Sequence, residues 1–495
     1  MSTATILSRA AEGLSAPAVS VEIHLSQGLP GFTIVGLPES TVREARERVR
    51  SALITSHFDW PDHRITVSLA PADIPKAGGR FDLPIALGLL VATQQLPSSA
   101  TANREFFGEL GLDGALRSCR GLLSAVRAAT QANRLCAVPS SQLGELARIP
   151  QSRVLGAPDL LSLCGLLKDQ DEVIGVPTQP ACAPTISTDM SNIMGQAAAK
   201  RALEIAASGG HHLLMSGPPG AGKTLLASAL PGLLPPLAED DKLDLMLMRD
   251  LLGMDLEAHR PFRSPHHTVS AAGLIGGGTR ALPGEISLAH GGVLFLDELP
   301  EFPRRVLDLL RQPLEDGSVA IARAKGTFRY PCQFQLIAAM NPCPCGYAGC
   351  KDPPCRCQGD SITRYQNRLS GPLLDRIDIC VPLERQDSAL LLGHVEPAES
   401  SNEVRTRVES CHKRQLERQG CLTRHLSGAD LLQYCQLSAP VKDWFTRACD
   451  RLHLSARSVH RTLRVGRTIA DMVGEEQVTE EALLEALGYR PRLTS

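Results

Sequence analysis

Gly217-Pro218-Pro219-Gly220-Ala221-Gly222-Lys223-Thr224 is the stretch that decides the fold. It meets the G-x-x-x-x-G-K-[ST] phosphate-binding pattern at every fixed position. Glycines let the backbone curl so that successive N–H groups point at one anion, where bulkier residues would intrude. In this pattern Lys223 reaches the β- and γ-phosphates of ATP, and the Thr224 hydroxyl completes a magnesium shell. The apolar residues 212–215 read as a strand entering the loop, and 225–230 read as a helix leaving it. That helix N-terminus adds its dipole to the phosphate cradle. A glycine-rich turn of no function would not need such flanks. The expectation is an α/β domain with a doubly wound, largely parallel sheet.

Working outward, Gly291-Gly-Val-Leu-Phe-Leu-Asp-Glu298 is an apolar run that ends in two carboxylates. A parallel core strand delivers such residues to the carboxyl edge of the sheet, beside the phosphate loop. Asp297 is the candidate magnesium holder. Glu298 is the candidate for orienting and polarising the attacking water, since phosphoryl transfer needs mainly positioning and charge stabilisation. A second strand-like run, 335–340, ends at Asn341, whose amide could bond the γ-phosphate or the lytic water. Further on, Arg376 stands between acidic residues in Leu373-Leu-Asp-Arg-Ile-Asp378. Two readings of Arg376 are open: a solvated salt bridge, or an arginine finger reaching the nucleotide of a neighbouring subunit.

Composition bounds the class. The chain has 495 residues, enough for about three domains. Its 43 % hydrophobic and 21 % charged content is ordinary for a globular protein. No run of 18 apolar residues argues for a membrane span. The start, Met-Ser-Thr-Ala-Thr-Ile, lacks a charged segment followed by an apolar core, so the expected location is cytoplasmic. In that compartment the 15 cysteines read as thiols or metal ligands rather than disulfides. The net charge of −2 hides an asymmetry, because residues 401–470 hold thirteen Lys/Arg against six Asp/Glu.

Three parts are expected. Residues 1–171 alternate short β-like runs, such as 65–69, with helical runs, such as 39–55. Residues 172–188 read as a linker, since Pro177, Pro180 and Pro184 disfavour both helix and central strand. Residues 189–385 carry the nucleotide motifs. Residues 386–495 read as helical, with starts near Ser427 and Thr479.

Phosphate loop, paired carboxylates, strand-terminal Asn341 and later Arg376 together resemble the AAA+ ATPases. Residues 371–378, with Pro283-Gly-Glu-Ile-Ser-Leu-Ala-His290, resemble the magnesium-chelatase branch. Gly31-Phe-Thr-Ile-Val-Gly-Leu-Pro38, Phe262-Arg-Ser-Pro-His-His-Thr268, Gly276-Gly-Gly278 and Leu454-Ser-Ala-Arg457 narrow the resemblance to the ComM/YifB family, over nearly the whole chain. The resemblance implies a hexameric ring with ATP sites between subunits and a C-terminal helical lid. It implies Arg376 as the finger and Arg457 as the second sensor arginine. For bacterial members it implies ATP-driven branch migration of DNA in natural transformation. A metal-insertion motor like the magnesium-chelatase ATPase subunit shares the core but leaves the N-terminal part unexplained. A scaffold in which hydrolysis only sets assembly is the non-enzymatic alternative.

Two insertions separate the nucleotide motifs. Residues 263–280 are polar and glycine-rich, with His266, His267 and Ser270, and read as a mobile loop without a core. Residues 317–331 read as a β-hairpin turning at Ala324-Lys-Gly326. In the resembling branch both face the central pore, making Arg323, Lys325 and Arg329 the candidate DNA phosphate contacts. Such contacts are non-specific and salt-sensitive. An ordinary solvated hairpin tip is the competing reading.

Five cysteines follow Asn341 closely: Cys343, Cys345, Cys350, Cys355 and Cys357. The pairs Cys343/Cys345 and Cys355/Cys357 supply the four thiolates that tetrahedral zinc favours, with Cys350 to spare. C-x-C departs from the usual C-x-x-C knuckle, so free thiols or a redox-labile loop compete with zinc. In the N-terminal part, residues 75–84 and 108–114 resemble a Lon-protease-like module of the ribosomal S5 type. Residues 78–84 contain no serine, so proteolysis, which needs a nucleophile there, is not expected. Lys76 and Arg80 are then candidate phosphate contacts of a DNA-binding or assembly platform, or plain solvated loop charges.

Overall fold

The computed structural model describes residues 2–169, 188–256, 259–278, 281–323, 326–350, 353–385 and 399–490. They form two compact units. The first gathers residues 2–169 with 242–256 and 281–282, and the second gathers 188–241, 259–278 and the described residues from 283 onward. Most of the expected linker, residues 172–187, and residues 386–398 lie outside the described part.

In the first unit the alternation of apolar and polar residues folds as expected into strands. Seven make one mixed sheet in the order Gly31–Val35, Arg64–Ala70, Ala18–Ser26, Ser2–Arg9, Arg104–Phe106, Leu135–Pro139, Val154–Ala157. Ser2–Arg9 pairs antiparallel with Ala18–Ser26, and the last four strands run parallel. The helix Asp82–Ala92 is apolar around nearly its whole circumference, so it belongs in a core rather than on a face. Leu83, Ile85, Leu87 and Leu90 are fully buried there. The helical run at 39–55 is broken in two, Ser40–Arg43 and Ala45–Thr55.

Two expectations fail in this unit. Lys76 is fully buried and its ammonium donates to the Pro71 carbonyl. Arg80 is buried as well, its guanidinium donating to the carbonyls of Arg9 and Arg120. A cation spent on buried carbonyls is a structural brace, so neither is a phosphate contact. Their loop looked exposed because glycines surround them, but a Cβ at Gly79 would lie 2.3 Å from the Glu109 carboxylate.

Helix Glu239–Leu252 follows the phosphate-loop helix in the chain, yet from residue 242 it belongs to the first unit. Met246 and Leu247 join Phe107, Leu122 and Val126 in one apolar cluster. Asp250 accepts from the backbone N–H groups of Gly121 (3.0 Å) and Leu123 (2.8 Å) at the start of helix Leu122–Gln131. It thus caps a helix more than a hundred residues away in sequence. Burial pushes its carboxyl up to about 6, while the two N–H groups pull the other way. Asp250→Ala should lower stability by about 1–3 kcal/mol, because two buried N–H groups lose their acceptor. Denaturant midpoints of the full chain would test this, with Asp250→Asn recovering part of the loss.

The second unit holds a five-stranded parallel sheet in the order Phe262–Arg263, Val293–Leu296, Gln335–Met340, Leu213–Ser216, Ile379–Pro382. The strand ending at Asn341 therefore lies between the phosphate-loop strand and the acidic strand. Among the described residues five α-helices follow: Ser401–Gln419, Gly428–Cys435, Ala439–Arg451, Ala456–Val473 and Glu480–Gly488. Ser400 and Glu403 form a reciprocal capping box on the first, and the Thr479 hydroxyl caps the last. Val404, Leu431, Phe445, Leu463 and Leu483 share one core with Leu213, Leu226 and Ile337. Among the described residues no helix is long and apolar enough to cross a membrane.

Candidate ATPase site

The phosphate loop joins strand Leu213–Ser216 to helix Lys223–Leu233. Gly220 and Gly222 have φ of +77° and +88°, and a Cβ at either would meet nothing within 4 Å. The loop therefore presents an open, glycine-shaped concavity at a helix N-terminus, the form that takes an anion. Gly217 donates its N–H to the Met340 carbonyl, and Gln196 donates to the carbonyls of Ala221 and Glu384.

Lys223 extends into this concavity. Its ammonium donates to the Gly217 and Pro218 carbonyls and to Asn341 Oδ1 at 3.0 Å. Burial lowers its pKa, while Asp297 and Glu298 act in the opposite direction. Thr224 Oγ1 donates to Asp297 Oδ2 at 3.0 Å. Two hard oxygen donors thus converge at the loop, the set that magnesium prefers. The neighbouring Glu298 is in the left-handed region, φ 50° and ψ 46°, and its N–H bonds Asp297 Oδ1 at 2.9 Å. A glutamate held there is uncommon and costs energy, which marks a site that needs its direction. Lys223, Thr224, Asp297, Glu298 and Asn341 are accordingly brought to one sheet edge.

His267 also stands at this edge, with Nδ1 3.5 Å from Glu298 Oε2. Strand Phe262–Arg263 is the parallel neighbour of Val293–Leu296, so the chain leaving it exits beside Asp297 and Glu298. That topology was not readable from the sequence, where residues 263–280 read as a loop. Nor is the segment without a core. It includes helix Ala271–Ile275, capped by the Ser270 hydroxyl and anchored by buried Leu274. Small polar residues hid the one leucine that orders it.

Arg376 and Arg457 gather elsewhere. Both line a cavity of about 380 Å³ with Glu315, Asp375, Arg461 and Arg464, and none of residues 217–224 lines it. Arg376 pairs with Glu315, while Asp375 sits 3.6 Å from Arg457 and 3.8 Å from Arg461. Asp378 lies beneath. Burial opposes its charge, yet the His211 hydrogen bond and the charges of His211, Arg464 and His212 hold it well below the usual carboxylate range. Burial, then Arg424 and Arg464, push His425 down to about 4. Arg376, Arg424, Arg457, Arg461 and Arg464 all line this cavity.

The hairpin Ser318–Arg323 and Gly326–Pro331 forms as expected, with Arg323 opposite Gly326. Arg323 and Arg329 are exposed, and Arg323 donates to the Gly278 carbonyl of the other insertion. Lys325, at the turn, lies outside the described residues. Cys343, Cys345, Cys355 and Cys357 converge within 4.8 Å of one another.

Sheet order, phosphate loop and helical C-terminal region define an AAA+ ATPase of the magnesium-chelatase-like branch. Residues 189–391 match the family model described as magnesium chelatase, subunit ChlI. Residues 21–142 match subunit ChlI of Mg-chelatase, and residues 398–490 match the ChlI C-terminal model. Competence protein ComM of Haemophilus influenzae is 45 % identical over 500 residues, covering 99 % of this chain and 98 % of that protein. YifB of Salmonella typhimurium is 45 % identical over 495 residues (99 % and 97 % covered), and YifB of Escherichia coli 44 % over 495 (99 % and 97 %). The chain belongs to the ComM/YifB family.

Proposed function

We propose that the chain is an ATP-driven DNA motor that works as a hexameric ring and promotes branch migration, with helicase action, on recombination intermediates during natural transformation. One observation carries the reading: the catalytic charges are divided. At the phosphate loop Lys223 bonds Asn341 and Thr224 bonds Asp297, whereas Arg376 and Arg457 line a cavity free of phosphate-loop residues. An arginine needed at the transferred phosphate, but grouped apart from its own loop, is best used on a neighbour's nucleotide.

In this reading Lys223 and the loop N–H groups bind the β- and γ-phosphates of ATP. Thr224 and Asp297 would hold magnesium, which would offset the charge developing on the phosphates. Glu298 orients the attacking water and accepts its proton, Asn341 positions water or γ-phosphate, and a neighbour's Arg376 stabilises the transition state. Arg457 assists from the same cavity.

DNA as substrate is supported by the exposed Arg323 and Arg329, by the bond from Arg323 to the Gly278 carbonyl of the other insertion, and by a relative named for competence. The test is ATP turnover of the full chain with single-stranded, forked and four-way DNA. Turnover should rise with DNA and the effect should fade with salt. The double substitution Arg323→Ala/Arg329→Ala should cut the stimulation several-fold. Absence of stimulation by every DNA form would remove the DNA reading and favour a metal-insertion motor or a scaffold.

A further inference from the structure

Cys343 Sγ lies 3.3 Å from Cys345 Sγ and 3.7 Å from Cys355 Sγ, and Cys345 lies 3.6 Å from Cys355. Cys357 completes the group, all four sulfurs lying within 4.8 Å of one another. Bonds of about 2.3 Å from a tetrahedral zinc would set sulfur atoms roughly 3.8 Å apart, close to this spacing. All four are free thiols, and a disulfide would need sulfurs only about 2.0 Å apart.

The backbone is shaped to turn the sulfurs inward. Gly346, at φ +86°, closes a turn in which its N–H bonds the Cys343 carbonyl at 2.9 Å. The N–H groups of Ala348 and Cys357 point at Cys343 Sγ (3.2 Å) and Cys355 Sγ (3.4 Å), and those of Tyr347 and Arg356 bond Cys345. Around the cluster, Pro342, Pro344, Tyr347, Ala348, Pro353 and Pro354 are all exposed or half-buried. A segment that builds so little apolar core is one that a metal commonly holds.

Its position gives the cluster a consequence. It begins two residues after Asn341, whose amide oxygen takes the Lys223 ammonium. Gly346 rests on the phosphate loop so closely that a Cβ there would lie 2.6 Å from Pro219 Cδ. On the other side, Gln366 of helix Gly359–Gln366 donates to the Pro342 carbonyl at 3.1 Å. The segment bearing Asn341 is thus held between loop and helix, and the four thiols gather directly after it.

We propose that Cys343, Cys345, Cys355 and Cys357 form a structural zinc site that clamps Asn341 against the phosphate loop, making ATP turnover depend on the metal. The metal site stands on geometry alone, while the dependence of turnover rests on the ATPase reading. The test begins with metal analysis of the full chain purified without chelator, which should give close to one zinc per chain. Protein produced with cobalt should show the intense thiolate-to-cobalt absorption of a tetrahedral tetrathiolate. Less than about 0.2 metal per chain, or cobalt spectra lacking those bands, would overturn the site. Cys355→Ser/Cys357→Ser should lose the metal and lower turnover about ten-fold or more, and adding Asn341→Ala should cost little further. Undiminished turnover in the metal-free variant, or losses that multiply independently, would overturn the clamp while leaving the zinc count standing. If that variant does not fold, the cobalt spectrum of the unmodified chain decides the site. Release of zinc from that chain by a mercurial, with loss of turnover in step, decides the clamp.

Discussion

Glu298→Gln is expected to lower ATP turnover by about 10²- to 10⁴-fold while nucleotide affinity changes little. The substitution preserves volume and backbone and removes only a proton acceptor. The proposed binding of phosphate and magnesium falls to Lys223, Thr224 and Asp297, whose bonds to the Gly217 carbonyl and to each other do not use the Glu298 side chain. The Glu298 N–H to Asp297 bond at 2.9 Å survives because it is backbone-borne. The Glu298 side chain is 53 % exposed, placed to reach a water rather than to support the fold. Single-turnover hydrolysis alongside equilibrium ATP binding separates the two quantities. Parallel losses of binding and turnover would mean that Glu298 holds the site together and does not act in the chemical step.

Arg376→Ala is expected to cost about 10³-fold or more in turnover, and to do so in trans. Its guanidinium already has a partner in Glu315, so the truncation also frees one exposed carboxylate, a minor effect at the surface. The informative experiment mixes variant and unmodified chains. If each site needs the next subunit's arginine, activity falls faster than the unmodified fraction. A strictly proportional fall would make Arg376 a local salt bridge, the bland reading that its contact with Glu315 also allows.

The nucleotide-binding half of the fold was legible because its signals are local. The loop needs glycines at fixed spacing, and a buried parallel strand needs an unbroken apolar run, so strands Leu213–Ser216, Val293–Leu296 and Gln335–Met340 fall where the runs stand. The hairpin Ser318–Arg323 and Gly326–Pro331 was legible from its period-two pattern. What sequence withheld depends on long-range packing. Nothing local says that Asp250 caps helix Leu122–Gln131, that His267 faces Glu298, or that Asp375 bridges Arg457 and Arg461. Burial of Lys76 and Arg80 was hidden for the same reason, since their carbonyl partners come from turns far along the chain or tightly folded beside them. The cysteine spacing departs from the usual knuckle, and the turn at left-handed Gly346 that gathers it was not readable locally.

Conversion of a synthetic four-way junction into its two duplex products tests the central claim most directly. The account predicts ATP-dependent conversion by the full chain, and none by Glu298→Gln under conditions where that variant still binds ATP. Rapid ATP turnover without any conversion of four-way or forked DNA would contradict it.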